Sequence, residues 1–262
     1  MYHLTKGHDV PTLRPAIISL ILKGKENWEE IQNKMTQKPQ RIPVTVKVMK
    51  LLKRRLRKID WSENKKKLVW AVSCICWNGS FRIHELLSKE RHEFDPLTTL
   101  LGKDLSVQTF MIQGKPEKAI KIHLKTMKQQ RVGNGVKIEI FQNDSFMCPT
   151  KAYEGLVKAS NLKKDGNMPV FRTEVGDCYT GKDFNRDLIE LTKGYLDVGI
   201  LRSHSFRSGV ATEMALLGFS DEEIKRQGRR SSQAFNNYIK LDRVQRINIA
   251  RSEAKGNKHW HE

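Results

Sequence analysis

Apolar positions along the chain recur at two periods. Val48, Leu52, Leu56 and Ile59 lie at helical spacing, and Thr45 stands where an N-cap is expected, so the pattern predicts a helix over 46–59. Residues 65–77 end in a nearly continuous apolar run and predict a buried helix. A turn at Asn78-Gly79-Ser80 precedes a short helix over 81–87. The period then drops to two. Ala119 to Leu124 alternates, as does Val136 to Ile140, and Arg131-Val132-Gly133-Asn134-Gly135 lies between them. That predicts a β-hairpin. Cys148-Pro149-Thr150 opens a further helix through Ala152, Leu156 and Val157. Helical patterns follow at roughly 181–196, 205–217, 220–227, 232–240 and 243–254. Ahead of all this, Thr12-Leu13-Arg14-Pro15 opens a helix through Ile17, Ile18, Ile21 and Leu22. Residues 1–37 are too short for a domain of their own, and 36–41 is the linker candidate. The fold class expected is mainly α with a small antiparallel β-sheet (α+β).

Charge sharpens the picture. The 262 residues carry 48 Lys and Arg against 29 Asp and Glu, a formal net charge of +19. Such an excess fits a polyanionic partner, and nucleic acid fits best. No apolar run approaches the roughly 18 residues of a membrane span, since the longest, Leu68 to Trp77, is interrupted by Ser73. The start, MYHLTKGHDV, lacks the apolar core of a secretory signal. Four cysteines in C-x-C and isolated positions argue against zinc knuckles and a disulfide framework. Reduced thiols and an intracellular protein, in nucleus or cytoplasm, are expected, with no metal and no cofactor. Lys50, Lys53, Arg54 and Arg57 crowd the flanks of the helix over 46–59. A solvated face is the plainer reading. Contact with DNA phosphates is the sharper one, because like charges repel without a polyanion.

The most informative stretch is LRSHSFRSGVATEMALLGFSDEEIKRQGRRSSQAFNNYIK, residues 201–240. His204 and Arg207, three apart, share one face of a helical turn. Gly218 ends that helix, and Ser220 with Glu223 forms a capping box for the next. Gly228-Arg229-Arg230 then leads toward Tyr238. Together with Phe81-Arg82-Ile83-His84-Glu85-Leu86 and a hairpin lysine upstream, this order resembles the catalytic domain of the tyrosine recombinase (phage integrase) family. The GRRSS wording is most similar to Crypton- and DIRS-type recombinases of eukaryotic mobile elements.

The resemblance implies a DNA recombinase or integrase that cuts and rejoins strands without a metal. Tyr238 would attack phosphorus to give a 3′-phosphotyrosyl link and a free 5′-hydroxyl. Arg82 and Arg207 would stabilise charge on the phosphoryl oxygens. His204 would accept or orient the phenol proton. Lys125, in a Leu124-Lys125-Thr126 step resembling the family's, would protonate the leaving oxygen, with Lys121, Lys128 and Lys137 flanking the same hairpin. Arg229 stands where His or Trp is usual and would donate to a phosphate oxygen without acting as an acid. Self-association as a tetramer on double-stranded DNA is implied, with no membrane role. Residues 1–37 are then the remnant helical arm of a core-binding domain, and 38–262 the catalytic domain with a tail helix. The alternative is a non-catalytic DNA-binding protein derived from such an enzyme. A type IB topoisomerase, which shares the chemistry, is a third reading.

Overall fold

The computed structural model describes residues 42–125, 135–160, 166–196, 201, 204–217 and 219–228. The helices expected within 1–37, at 232–240 and at 243–254, and the cap at Gly218, lie outside the described residues. Everything described belongs to one compact unit, Arg41–Glu262.

Helix α1, Val46–Lys58, buries Val48, Leu52 and Leu56 of the expected stripe and also Val46 and Met49, while Ile59 is the partly buried C-cap. Thr45 takes the extended N-cap conformation without a side-chain bond. The buried Glu213 carboxylate serves the free helix end instead, accepting the Val46 N–H at 2.8 Å. Helix α2, Glu63–Asn78, starts at a Ser62 cap and buries every residue from Leu68 to Asn78 except the partly exposed Trp70. From Leu68 onward it is apolar on nearly all sides because other elements cover them. The short α3, Ile83–Leu86, follows an extended Arg82 and starts two residues later than expected.

The sheet is an antiparallel meander of β1, Leu105–Ile112, β2, Lys115–Leu124, and β3, Val136–Phe141, in that spatial order. Register is set by Leu105 opposite Ile122 and by Leu124 opposite Val136. β2 and β3 are the two arms of the expected hairpin. β1 was not expected, and it joins β2 through a two-residue turn in which Gln113 and Gly114 both take positive φ, 50° and 73°.

Four helices complete the unit: α4, Pro149–Ala159; α5, Gly181–Thr192; α6, His204–Leu216; and α7, Asp221–Gln227. Pro149 sits in the first turn of α4, where a missing N–H costs nothing. α5 stops four residues short of expectation, because Lys193 leaves the helical region at φ −54°, ψ 126°. The capping box of α7 forms as read, with Ser220 and Glu223 bonding reciprocally. α2 is the hub of the core and packs against α1, α3, α4 and α6. Phe184 of α5 meets Phe206 of α6 with centroids 5.6 Å apart. Cys74, Cys76, Cys148 and Cys178 are all buried thiols. No described helix is long and apolar enough to cross a membrane.

Candidate active site

The site is organised around the C-terminal end of α2. That end is buried, so Asn78 needs internal partners. Its side-chain amide donates to the Cys74 and Met147 carbonyls at 2.9 and 3.0 Å. Its backbone carbonyl accepts from Gln227 Nε2, at the end of α7, at 2.9 Å. Four residues past Asn78, Arg82 occupies the N-cap of α3. Its backbone N–H donates to Glu85 Oε2 at 2.9 Å, and its Nη1 donates to Glu85 Oε1 at 3.1 Å. One carboxylate thus caps the helix and aims the guanidinium. The Glu85 side chain is almost fully buried and that of Arg82 about a quarter exposed, so the cation keeps one side open to an incoming anion.

Arg207 reaches the same place from α6. Its Nη2 donates to the carbonyl of Gly228, the residue after Gln227. Two consecutive residues at the end of α7 therefore bind the tip of α2 and the Arg207 guanidinium together. His204 is the first residue of α6, one turn before Arg207. Arg229 and Tyr238 lie outside the described residues.

Lys125 stands at the end of β2. Its Nζ pairs with Asp104 Oδ2 at 2.6 Å and donates to the Pro96 and Thr99 carbonyls at 2.8 and 3.3 Å. A cleft of about 890 Å³ opens beside it, bordered by Glu85 of α3, His123, Lys125 and the loop from Leu87 to Leu100. Lys125 and the residue that aims Arg82 therefore face one cavity. The loop is fastened at its base by Arg91, which pairs with Asp183 at the start of α5. Among the described residues no group of three or more His, Cys, Asp or Glu is arranged to hold a metal.

The four basic residues expected on DNA separate into two kinds. Arg54 and Arg57 are exposed and Lys50 is partly so. Lys53 turns inward. Its Nζ donates to the Phe146 carbonyl at 2.9 Å and lies 5.3 Å from the centre of the Trp70 ring. Burial lowers its pKa, and the neighbouring Arg57 and Lys67 charges add to that while Cys74 opposes it. Arg55 is committed too, donating to the Leu191 carbonyl at 3.1 Å and lying over Tyr195.

Sequence reading missed Asp104 and the Asn78–Gln227 contact. Asp104 precedes the strand that was itself missed, and Asn78 read as a turn residue closing an apolar run. A polar residue directly abutting such a run was the available signal.

Comparison with solved structures finds DNA recombinases. A Flpe mutant bound to a DNA Holliday junction superposes with a TM-score of 0.51 at 11% identity, covering 93% of this chain and 59% of that one. The fold is that of a tyrosine recombinase catalytic domain. An FLP recombinase–Holliday junction complex matches at 12% identity and a TM-score of 0.47, covering 92% of this chain and 57% of the other. XerH site-specific recombinase bound to its difH substrate matches at 13% and 0.44, covering 85% and 56%. The chain thus spans less than three-fifths of the length of these recombinases. No protein-family model and no curated protein matches the sequence. Within this fold, Arg207 is tied through Gly228 and Gln227 to the end of α2, Arg82 follows that end by four residues, and Lys125 lines the cleft that Glu85 also borders.

Proposed function

We propose that the chain is the catalytic part of a site-specific DNA recombinase that cuts and rejoins strands through a 3′-phosphotyrosyl intermediate. The observation that carries this is the double tether at Gln227 and Gly228. It ties the Arg207 guanidinium, through two consecutive residues, to the end of α2, and Arg82 follows that end by four residues; this supports a reading in which both cations serve one phosphate. Flat, permanently charged guanidiniums suit the equatorial oxygens of a five-coordinate phosphorus.

In this reading the Tyr238 hydroxyl attacks phosphorus. A phenol with a reference pKa of about 10 needs help at neutral pH, and His204 takes or orients its proton. Arg82, Arg207 and Arg229 hold the phosphoryl oxygens, and Lys125 protonates the departing 5′-oxygen. Rejoining runs the same steps backwards with a 5′-hydroxyl from a partner strand. Exposed Arg54 and Arg57 contact phosphates along the duplex. The same reading gives a mobile-element origin of Crypton or DIRS type, work as a tetramer on DNA, and a place in the nucleus or cytoplasm.

The test uses nicked DNA duplexes with randomised sequence around the nick, so that a cut strand falls away and cannot be rejoined. We expect a detergent-resistant protein–DNA adduct that is lost in Tyr238→Phe. Folded protein that binds the pool in a salt-sensitive way but forms no adduct would instead establish the non-catalytic DNA-binding alternative. Arg229, in the place of the usual His or Trp, is the sequence feature that favours that alternative.

A further inference from the structure

An ammonium carries three N–H donors, and in Lys125 each has an acceptor: Asp104 Oδ2, the Pro96 carbonyl and the Thr99 carbonyl. The acceptors differ in kind. Pro96 and Thr99 belong to the loop that borders the cleft, and Pro96 is exposed with its neighbour Leu97. Asp104 is 7% exposed and ends the tight turn Gly102–Asp104 that leads into β1. The same Oδ2 atom accepts the Leu101 N–H at 2.8 Å, which fixes the carboxylate to that turn. β1 pairs with β2 from Leu105 opposite Ile122 onward. Sheet register, not side-chain chance, therefore sets Asp104 beside the strand end that carries Lys125.

We propose that Asp104 is the positioning residue of Lys125, holding the ammonium at the cleft by one N–H while the other two pass from the Pro96 and Thr99 carbonyls to oxygens of the scissile phosphodiester. The proposal rests on the recombinase reading above. A long, flexible lysine stem has no preferred direction of its own. A buried carboxylate at 2.6 Å supplies one, and the pair leaves neither charge uncompensated. Two neutral carbonyls are the exchangeable partners, because a phosphodiester oxygen carries negative charge and makes the stronger bond. In the cleavage step the bond from the Tyr238 oxygen to phosphorus forms and the bond from phosphorus to O5′ breaks. The phenol proton goes to His204 or water. Lys125 gives one proton to O5′ and becomes a neutral amine, which regains a proton from the attacking 5′-hydroxyl during rejoining.

The experiment compares the full chain with Asp104→Asn, Lys125→Ala and the double variant on the nicked duplex pool. One pool carries the natural bridging 5′-oxygen at the cut position, and the other a bridging 5′-sulfur. A thiolate leaves without a proton, so the sulfur pool needs no acid. We expect Asp104→Asn to slow adduct formation on oxygen on the order of 10- to 100-fold, a part of what a general acid supplies. On sulfur it should cut at the parent rate, which also shows that it is folded. The double variant should cut oxygen no more slowly than Lys125→Ala alone, and because it removes both charges it leaves none buried without a partner. An unchanged rate on oxygen, an equal loss on both pools, or a further loss in the double variant would overturn the proposal. If the parent chain forms no adduct on either pool, the recombinase reading fails and this inference falls with it. Adduct on sulfur alone by the parent would show that Tyr238 attacks but Lys125 gives no proton, and would overturn this inference and the Lys125 role together while leaving the nucleophile in place.

Discussion

Gly209, in the middle of α6, lies directly against the backbone of Val44. A Cβ built there would sit 1.9 Å from the Val44 carbonyl oxygen and 2.4 Å from its carbonyl carbon. That carbonyl also accepts the indole N–H of Trp77 at 2.9 Å, and the Val44 N–H donates to the Ser205 carbonyl at 2.8 Å. Gly209→Ala cannot be absorbed by a rotamer change, because backbone is what it strikes. We expect a loss of about 3 kcal/mol and a melting temperature lower by roughly 6 °C or more, read by thermal denaturation. At this scale the sequence was partly legible. Arg82 and Glu85 are three apart at the start of a short helix, so their mutual bond could be foreseen. Asp104 and Lys125 are 21 residues apart, and only the pairing of β1 with β2 makes them neighbours.

Elements were legible where one period ran long enough to be counted. α1, α2, α4, α6 and α7 begin and end within a few residues of the positions their apolar spacing and caps predict. β1 escaped because an edge strand buries little. Only Leu105 of its eight residues is fully buried, and Met111 is 68% exposed. Burial, not intrinsic preference, is what writes alternation into a strand. The loop bordering the cleft is likewise held by a contact that no local pattern shows. Burial pushes the Asp183 pKa up, but its bonds from Thr180 and the Arg91 guanidinium outweigh that and hold it below the ordinary carboxylate value. A carboxylate depressed in the folded state contributes stability above its unfolded pKa of about 3.9, and that contribution fades as pH falls through the folded value. The stability gap between the parent and Asp183→Asn should therefore be constant from about pH 5 to pH 8 and shrink below about pH 4. Urea titrations at a series of pH values measure it. A gap that persists unchanged at pH 3 would show that charge is not its source.

Across the whole molecule the dominant quantity is the +19 net charge. It called for a polyanion before any fold was known, yet it could not say which cations face outward. The structure separates them, because α1 spends Lys53 and Arg55 on carbonyls and aromatic rings and leaves Arg54 and Arg57 exposed. Fluorescence anisotropy on a mixed-sequence duplex should show affinity falling steeply with salt. Arg54→Ala and Arg57→Ala should each lower the slope of log affinity against log salt by about 0.9. Lys53→Ala should leave that slope nearly unchanged and instead reduce thermal stability. Equal slope changes for all three would mean that Lys53 swings out to the DNA.

The bonds to Gln227 and Gly228 carry a geometric corollary. They make Gly228 a fixed origin from which the rest of the chain departs. Tyr238 lies ten steps along the chain from it, and ten residues at full stretch reach at most about 35 Å. That sphere, centred on the Gly228 α-carbon, bounds the position of the Tyr238 α-carbon, so under the proposed reading any phosphorus its phenol attacks lies within that radius plus the length of one tyrosine side chain. Lengthening or shortening the leash moves the boundary without touching a single group at the reaction centre.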